Sequence, residues 1–192
     1  MLGILNRMKL VIVESPTKVK SFKKILKDQK DLEVFATKGH IRDLPKNKLG
    51  VKTDNNFEPE YVDIKEKADV IKRLKELGKR ADEIILATDP DREGESISYH
   101  TAYYLGLIDE DWPDFKITDE KRVKRIIFYE ITPQGIKKAF ENPVSLRKSL
   151  VKAQAARRIL DRLVGYRISP LLWRKIGKRW LSAGRVQTVA LR

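Results

Sequence analysis

The run Glu83-Ile-Ile-Leu-Ala-Thr-Asp-Pro-Asp-Arg-Glu-Gly-Glu95 constrains the fold more than any other stretch of this chain. Its apolar residues, Ile84 to Ala87, lie between two segments of helical character, which fits a parallel strand buried on both faces. Asp89, Asp91 and Glu93 follow where that strand should end. In an open α/β sheet the ligand crevice lies beyond the carboxyl ends of the strands, so these acids are expected to face a pocket. Pro90 keeps Thr88-Asp89 extended and puts Asp89 and Asp91 on the same side. Carboxylates packed this closely repel one another, and a hard divalent cation relieves the repulsion. Mg²⁺ suits a shell built from a few carboxylates and completed by phosphate. The competing reading is a solvated acidic turn that caps a helix beginning near Glu93.

The rest of the amino-terminal part repeats the alternation of strand and helix. Lys9 to Glu14 is a β-branched run, and Ser15-Pro16 supplies an N-cap and an N1 proline for a helix through about Lys27. Glu14 therefore stands at a strand's carboxyl end and joins the acids if its strand neighbours the one before Asp89. Lys18 falls in the first helical turn, where a cation opposes the helix dipole unless an anion is near. That mismatch points to phosphate, the alternative being a plain surface lysine. Leu32 to Ala36 reads as a second strand, followed by a Gly-led loop with His40, Arg42 and Asp43. Here His40 is either a phosphate contact or a local hydrogen-bonding residue.

Pro45 to Tyr61 reads as a polar loop with a possible edge hairpin, and Lys65 to Lys79 as a helix whose Ala68, Ile71, Leu74 and Leu77 cover a sheet. The next helix is expected from Gly94 to Leu105, with His100 packed rather than functional. Gly106 to Arg122 is an acidic, Pro-containing connection for which the residues offer no function. Val123 to Glu130 is a further strand, and Pro133 starts a helix through about Phe140. Asn142-Pro143 is the expected domain boundary, giving one domain over 8–142 and the beginning of another over 143–192. Strands alternating with helices favour an open α/β sheet with right-handed crossovers.

Charge separates the two parts. The chain carries a formal charge of +14 over 192 residues, and from Lys116 onward 20 Lys and Arg stand against 5 Asp and Glu. The first 115 residues are close to neutral. From Pro143 onward the only acid is Asp161, a basic density that points to a polyanionic partner. A membrane surface fits less well, because the basic segment lacks the exposed aromatic face of an interfacial helix. With no cysteine there is no disulfide framework and no thiolate metal site, and a reducing cytosol is expected. No apolar run reaches membrane-spanning length.

Leu150 to Arg167 is the clearest amphipathic helix. A helical wheel places Ala156, Ile159, Leu160, Leu163 and Val164 on one side, and Gln154, Arg157, Arg158, Asp161 and Arg162 on the other. Arg157 and Asp161 are one turn apart and can pair, fixing an arginine fork for a phosphate or base edge. The alternative is an ordinary intrahelical ion pair. Tyr166 and Trp173 suit base stacking or a core equally. Ser169-Pro170 is expected to cap a separate short helix, Leu171 to Ile176. A basic loop then leads through Ser182 into a helix whose free N–H groups, with Arg185 beside them, could hold a phosphate. That helix has no C-cap before Arg192, which reads as a truncated end.

Together, Glu14-Ser-Pro-Thr-Lys18, Gly39-His-Ile-Arg-Asp-Leu-Pro45, Asp89-Pro-Asp-Arg-Glu-Gly-Glu95 and Tyr129-Glu-Ile-Thr132 resemble the amino-terminal part of bacterial-type type IA DNA topoisomerases. So do Gln154-Ala-Ala-Arg-Arg158 with Asp161-Arg162 and Gly165-Tyr166, and Leu181-Ser-Ala-Gly-Arg-Val-Gln187. The resemblance covers nearly the whole chain. It implies a Toprim-type open, mainly parallel sheet flanked by helices, followed by the start of an all-α domain that guides single-stranded DNA.

It further implies Glu14 as general acid/base, Lys18 as stabiliser of transition-state charge, and Asp89, Asp91 and Glu93 as holders of Mg²⁺. His40 and Arg92 are implied as DNA contacts. Arg157, Arg158, Asp161 and Tyr166 are implied as strand contacts, and Ser182, Gly184, Arg185 and Gln187 as a phosphate-binding loop. The expected substrate of the full-length protein is negatively supercoiled DNA, handled by a cytoplasmic, nucleoid-associated monomer. The family's nucleophilic tyrosine is not matched by Tyr61, Tyr99, Tyr103, Tyr104, Tyr129 or Tyr166, so this chain is expected not to cleave DNA alone. Rival readings are a metal-dependent Toprim nuclease and a non-catalytic nucleic-acid-binding module whose acids serve as caps.

Overall fold

Leu10 to Val13 are fully buried, as a strand covered on both faces requires, and they form the interior of a four-stranded parallel sheet. The structure, a computed structural model, describes residues 8–109 and 112–190, with the side chains of Arg185, Thr188 and Val189 outside that description. Two compact units divide it: residues up to Asp43 with Asp63–Val151, and Leu44–Val62 with the residues from Lys152 on.

In the first unit the strands lie in the order Val123–Arg125, Glu83–Leu86, Lys9–Val13, Leu32–Ala36, all parallel. Lys9 is opposite Leu32 on one side and Glu83 on the other. Alternation along each strand sends side chains to two faces. Val11, Val13, Val34, Ala36, Ile85 and Ala87 pack with Phe22 of α1 (Pro16–Ile25) and with Ile136 and Ala139. Leu10, Ile12, Ile84 and Leu86 pack on the other face. Their partners are Ile71, Leu74 and Leu77 of α2 (Ala68–Arg80) and Tyr99 and Ala102 of α3 (Arg92–Tyr104). Ile136 and Ala139 belong to α4 (Pro133–Glu141), which begins at Pro133 as expected, with Thr132 as its N-cap.

This topology contains a reversal. The chain passes from the first strand outward to Leu32–Ala36, then returns to the first strand's opposite edge for Glu83–Leu86. Helix α1 leaves the first strand toward one face, and α3 follows the third strand on the other. Between two such strands the connections diverge and open a crevice.

The last strand is shorter than expected, three residues from Val123 to Arg125. Ile126 N still donates to the Leu86 carbonyl at 3.0 Å, and past it the chain leaves the ladder. Ile126 and Phe128 are still buried, whereas Tyr129 is 88% exposed. The acidic connection after Gly106 contains an antiparallel pair, Ile108–Asp109 with Lys116–Ile117. It is anchored by the fully buried Phe115, whose ring lies 4.6 Å from that of Tyr99. His100 is buried, as expected.

In the second unit the turn signals near Asp54-Asn-Asn56 do form a hairpin, pairing Val51 with Pro59 and Lys52 with Glu58. Leu44, Val51 and Ile159 make its core. Helix α5 (Lys148–Ile176) runs unbroken through Pro170, so the separate helix expected from Leu171 does not exist. Ser169 stays helical, and its hydroxyl accepts a hydrogen bond from Ala183 N at 2.9 Å instead of capping a new helix. The apolar side is also rotated from the wheel. Ile159 is buried with Gln154 and Ala155, while Leu160 is 47% exposed and Ala156 exposed. Arg162 turns inward and donates to the carbonyls of Pro45 and Lys48 at 2.7 and 3.3 Å, which a wheel blind to the neighbouring loop cannot anticipate.

Candidate active site at the strand ends

Glu14 and Asp89 follow the two adjacent strands whose connections diverge, and Lys18 lies between them. Lys18 Nζ is 2.5 Å from Asp89 Oδ1 and bonded to Glu14 Oε1. Helical geometry explains the reach, since Lys18 is one turn beyond Glu14 and α1 starts directly after Ser15. Its ammonium also lies 5.2 Å from the centroid of the Phe128 ring.

Burial pushes the Glu14 carboxyl above its ordinary range, although Lys18 works in the opposite direction. Burial acts the same way on Asp89. There it is outweighed by hydrogen bonds from Lys18 and Glu14 and by the Lys18 charge, which together hold Asp89 below the usual range. Of the two carboxyls, Glu14 keeps its proton to the higher pH. Its second oxygen, Oε2, is buried and accepts no hydrogen bond from the described residues.

The other two acids are engaged differently. Asp91 is the N-cap of α3 and accepts from Gly94 N at 2.8 Å, so the helix-cap reading holds for this residue. Glu93 Oε2 is 3.0 Å from His40 Nε2, and Arg92 Nε is 4.0 Å from Glu93 Oε1. His40 follows Gly39, whose φ of +90° suits glycine and whose N–H donates to the Glu14 carbonyl at 2.9 Å. Among the described residues no three His, Asp or Glu side chains are already gathered as a metal shell. The donor set is nevertheless all oxygen, and Glu14 keeps a buried, unbonded carboxylate oxygen beside it. Both features fit a hard divalent cation.

Residues that the sequence did not single out hold this loop in place. Arg125, fully buried in the last strand, donates to the carbonyls of Leu86, Thr88, Asp89 and Ile126 and to Glu95 Oε1. Glu95 is itself fully buried and also receives Arg147 through Nε at 3.1 Å, Nη2 at 2.9 Å and the backbone N at 3.1 Å. Arg147 Nη2 reaches the Pro90 carbonyl at 2.6 Å. From the helix side, Thr88 Oγ1 donates to the Gly94 carbonyl at 2.7 Å. A Cβ on Gly94 would fall 2.2 Å from the Asp89 carbonyl oxygen, so only glycine lets α3 come this close. One signal was present in the sequence. Alternation turns Arg125 to the same side as the buried Val123, and a charge so placed demands a buried partner.

The second unit is described by itself. Arg157 Nε lies 4.0 Å from Asp161 Oδ2, the pairing expected one turn apart, and Arg158 is exposed. Tyr166 donates its hydroxyl to the Lys46 carbonyl at 2.7 Å, and its ring lies under the Arg162 guanidinium. Trp173 donates from Nε1 to the Leu181 carbonyl at 2.6 Å, tying the basic loop to α5. Ser182 Oγ is 3.5 Å from Gln187 Oε1 in the turn that holds Gly184 and enters α6 (Arg185–Ala190). The Arg185 side chain lies outside the described residues.

A doubly covered parallel sheet, with a glutamate after one strand and an acidic Asp-Pro-Asp-Arg-Glu turn after its neighbour, defines a Toprim-class protein. The Toprim domain family model matches residues 9–131, and the family model described as DNA topoisomerase matches residues 145–192. The chain belongs to the bacterial-type type IA DNA topoisomerases, as their Toprim-containing amino-terminal part. A similar solved structure is full-length topoisomerase I from Thermotoga maritima in a monoclinic crystal form. It is 46% identical, with a TM-score of 0.73 over 86% of this chain. The match covers 26% of the Thermotoga chain.

Proposed function

We propose that this chain supplies the acid–base and metal-holding half of an enzyme that relaxes negatively supercoiled DNA. The reaction would be transient cleavage of one strand and religation through a 5′-phosphotyrosine. The observation that carries this reading is Lys18 Nζ lodged between Glu14 and Asp89 at neighbouring strand ends. Glu14, protonated to higher pH than an ordinary carboxyl, donates its proton to the leaving oxygen and recovers it on religation. Lys18 offers positive charge where negative charge develops on the phosphate. Asp89, Asp91 and Glu93 would hold Mg²⁺, which when bound neutralises phosphate charge and orients the scissile group.

His40 and Arg92 contact the strand close to the cut. Arg157, Arg158, Asp161 and Tyr166 guide it along α5 and set the base preference upstream. Ser182, Gly184, Arg185 and Gln187 hold a further phosphate. None of the six tyrosines stands in the nucleophile's motif, so the chain by itself binds a strand and leaves it whole. It works as a monomer on cytoplasmic, nucleoid DNA.

The test is incubation of end-labelled single-stranded DNA with this chain and Mg²⁺, divided between a native and a denaturing gel. A salt-sensitive shift on the first and an intact strand on the second are expected. Cut strands, lost when Asp89 and Asp91 become alanine, would identify a hydrolytic nuclease instead. No shift at any salt would remove the nucleic-acid reading.

A further inference from the structure

We propose that Glu95, clasped between Arg125 and Arg147, is a positioning residue that sets the metal affinity of the Asp89–Glu93 turn without ligating the ion. The proposal rests on the metal reading of that turn given above.

The geometry separates Glu95 from the acids around it. The Asp89 and Glu93 side chains are about half exposed, and Asp91 is exposed. Glu95 is fully buried, and its two oxygens receive four N–H groups, one from Arg125 and three from Arg147. Both of its oxygens are engaged by arginine donors inside a fully buried site, which sets it apart from the accessible acids of the turn. The same two arginines also bind carbonyls of the acidic turn. Arg125 binds the Thr88 and Asp89 carbonyls at 2.9 and 2.8 Å, and Arg147 binds that of Pro90 at 2.6 Å. Three consecutive carbonyls of the turn are thus fixed by two guanidinium groups that share one carboxylate.

An Mg²⁺ shell demands near-ideal geometry, so it is sensitive to sub-ångström displacement of its carboxylates. The buried Arg125–Glu95 pair is a weak source of net stability, because desolvating the two charges offsets their attraction. Its retention here fits a role in geometry. Partners of metal ligands, one shell removed from the ion, typically change metal affinity by 10- to 100-fold.

The experiment uses the full chain and Mn²⁺ as a hard-cation probe, with free ion followed by electron paramagnetic resonance. Arg147 is one-third exposed, so Arg147→Met removes its donors while leaving the Arg125–Glu95 pair intact. We expect roughly 10-fold weaker Mn²⁺ binding, faster amide exchange over residues 89–93 and an unchanged circular-dichroism spectrum. Arg147→Lys, which restores charge but not the fork, should recover part of the affinity. Glu95→Gln should act in the same direction and more strongly, and if it does not fold, Arg147→Met decides alone. Wild-type affinity in a folded Arg147→Met protein overturns the positioning role. Failure of the wild-type chain itself to bind Mn²⁺ overturns the metal reading and this inference with it, a result distinct from the first.

Discussion

Glu14 and Asp89 share one lysine and have carboxyls shifted in opposite directions, with opposite consequences for stability. Asp89 has a depressed carboxyl, so it contributes stability above the usual aspartate range, and that contribution fades as pH falls through its lowered value. Glu14 is raised. Its contribution is present below the ordinary glutamate range and is lost as pH rises through the raised value, so above that value an ionised Glu14 costs stability. Glu14→Gln removes the second effect and, because Glu14 helps hold Asp89 down, alters the first only below the ordinary aspartate range. The variant's urea midpoint, relative to wild type, is therefore expected to rise as pH climbs from the ordinary glutamate range through the raised value. A difference that stays flat or falls over that window would mean that Glu14 carries no burial-raised carboxyl. The same variant should retain the native-gel shift, since binding of the strand does not require the proton.

Helix α5 shows how far a helical wheel can be carried. Its existence and its Arg157–Asp161 spacing were legible because apolar residues recur with helical period and because charges one turn apart meet. Its buried side was not. The wheel sees one helix, whereas the side that is buried depends on Leu44 and the Val51 hairpin, which the sequence places a hundred residues earlier. Ile159→Ala is expected to cost about 2–5 kcal/mol in denaturant unfolding. Leu160→Ala should stay within about 0.5 kcal/mol, where the wheel would have made the two equal. The acidic turn divides in the same way. Strand, Pro90 and the three carboxylates were readable in order, because local chemistry dictates them. Arg125, Glu95 and Arg147 were not, because nothing in their spacing announces that they converge. Pro170 is the opposite case, a strong local signal that the structure overrides, since α5 runs through it and Ser169 accepts from Ala183 N instead of capping.

Across the whole chain the net positive charge lies beyond residue 115, and binding of a nucleic-acid strand should carry that signature. For single-stranded DNA the slope of log affinity against log salt is about −0.7 per phosphate neutralised. Arg157→Ala and Arg158→Ala together should therefore flatten the slope by about 1.4 units if both contact phosphate. Lys20→Ala with Lys23→Ala on α1 should leave it unchanged. Equal flattening by both pairs would replace a guided strand with diffuse attraction to a basic surface.

The reversal in strand order also has a kinetic side. The first strand can pair with Leu32–Ala36 as soon as α1 has formed, but its other edge stays open until Glu83–Leu86 has been made. Lys18 and Asp89 are 71 residues apart in the chain, so their ion pair closes a long loop and belongs to the late, entropy-limited part of assembly. During synthesis a nascent chain ending before residue 83 would present a half-zipped central strand, an exposed apolar edge that chaperones are suited to shield.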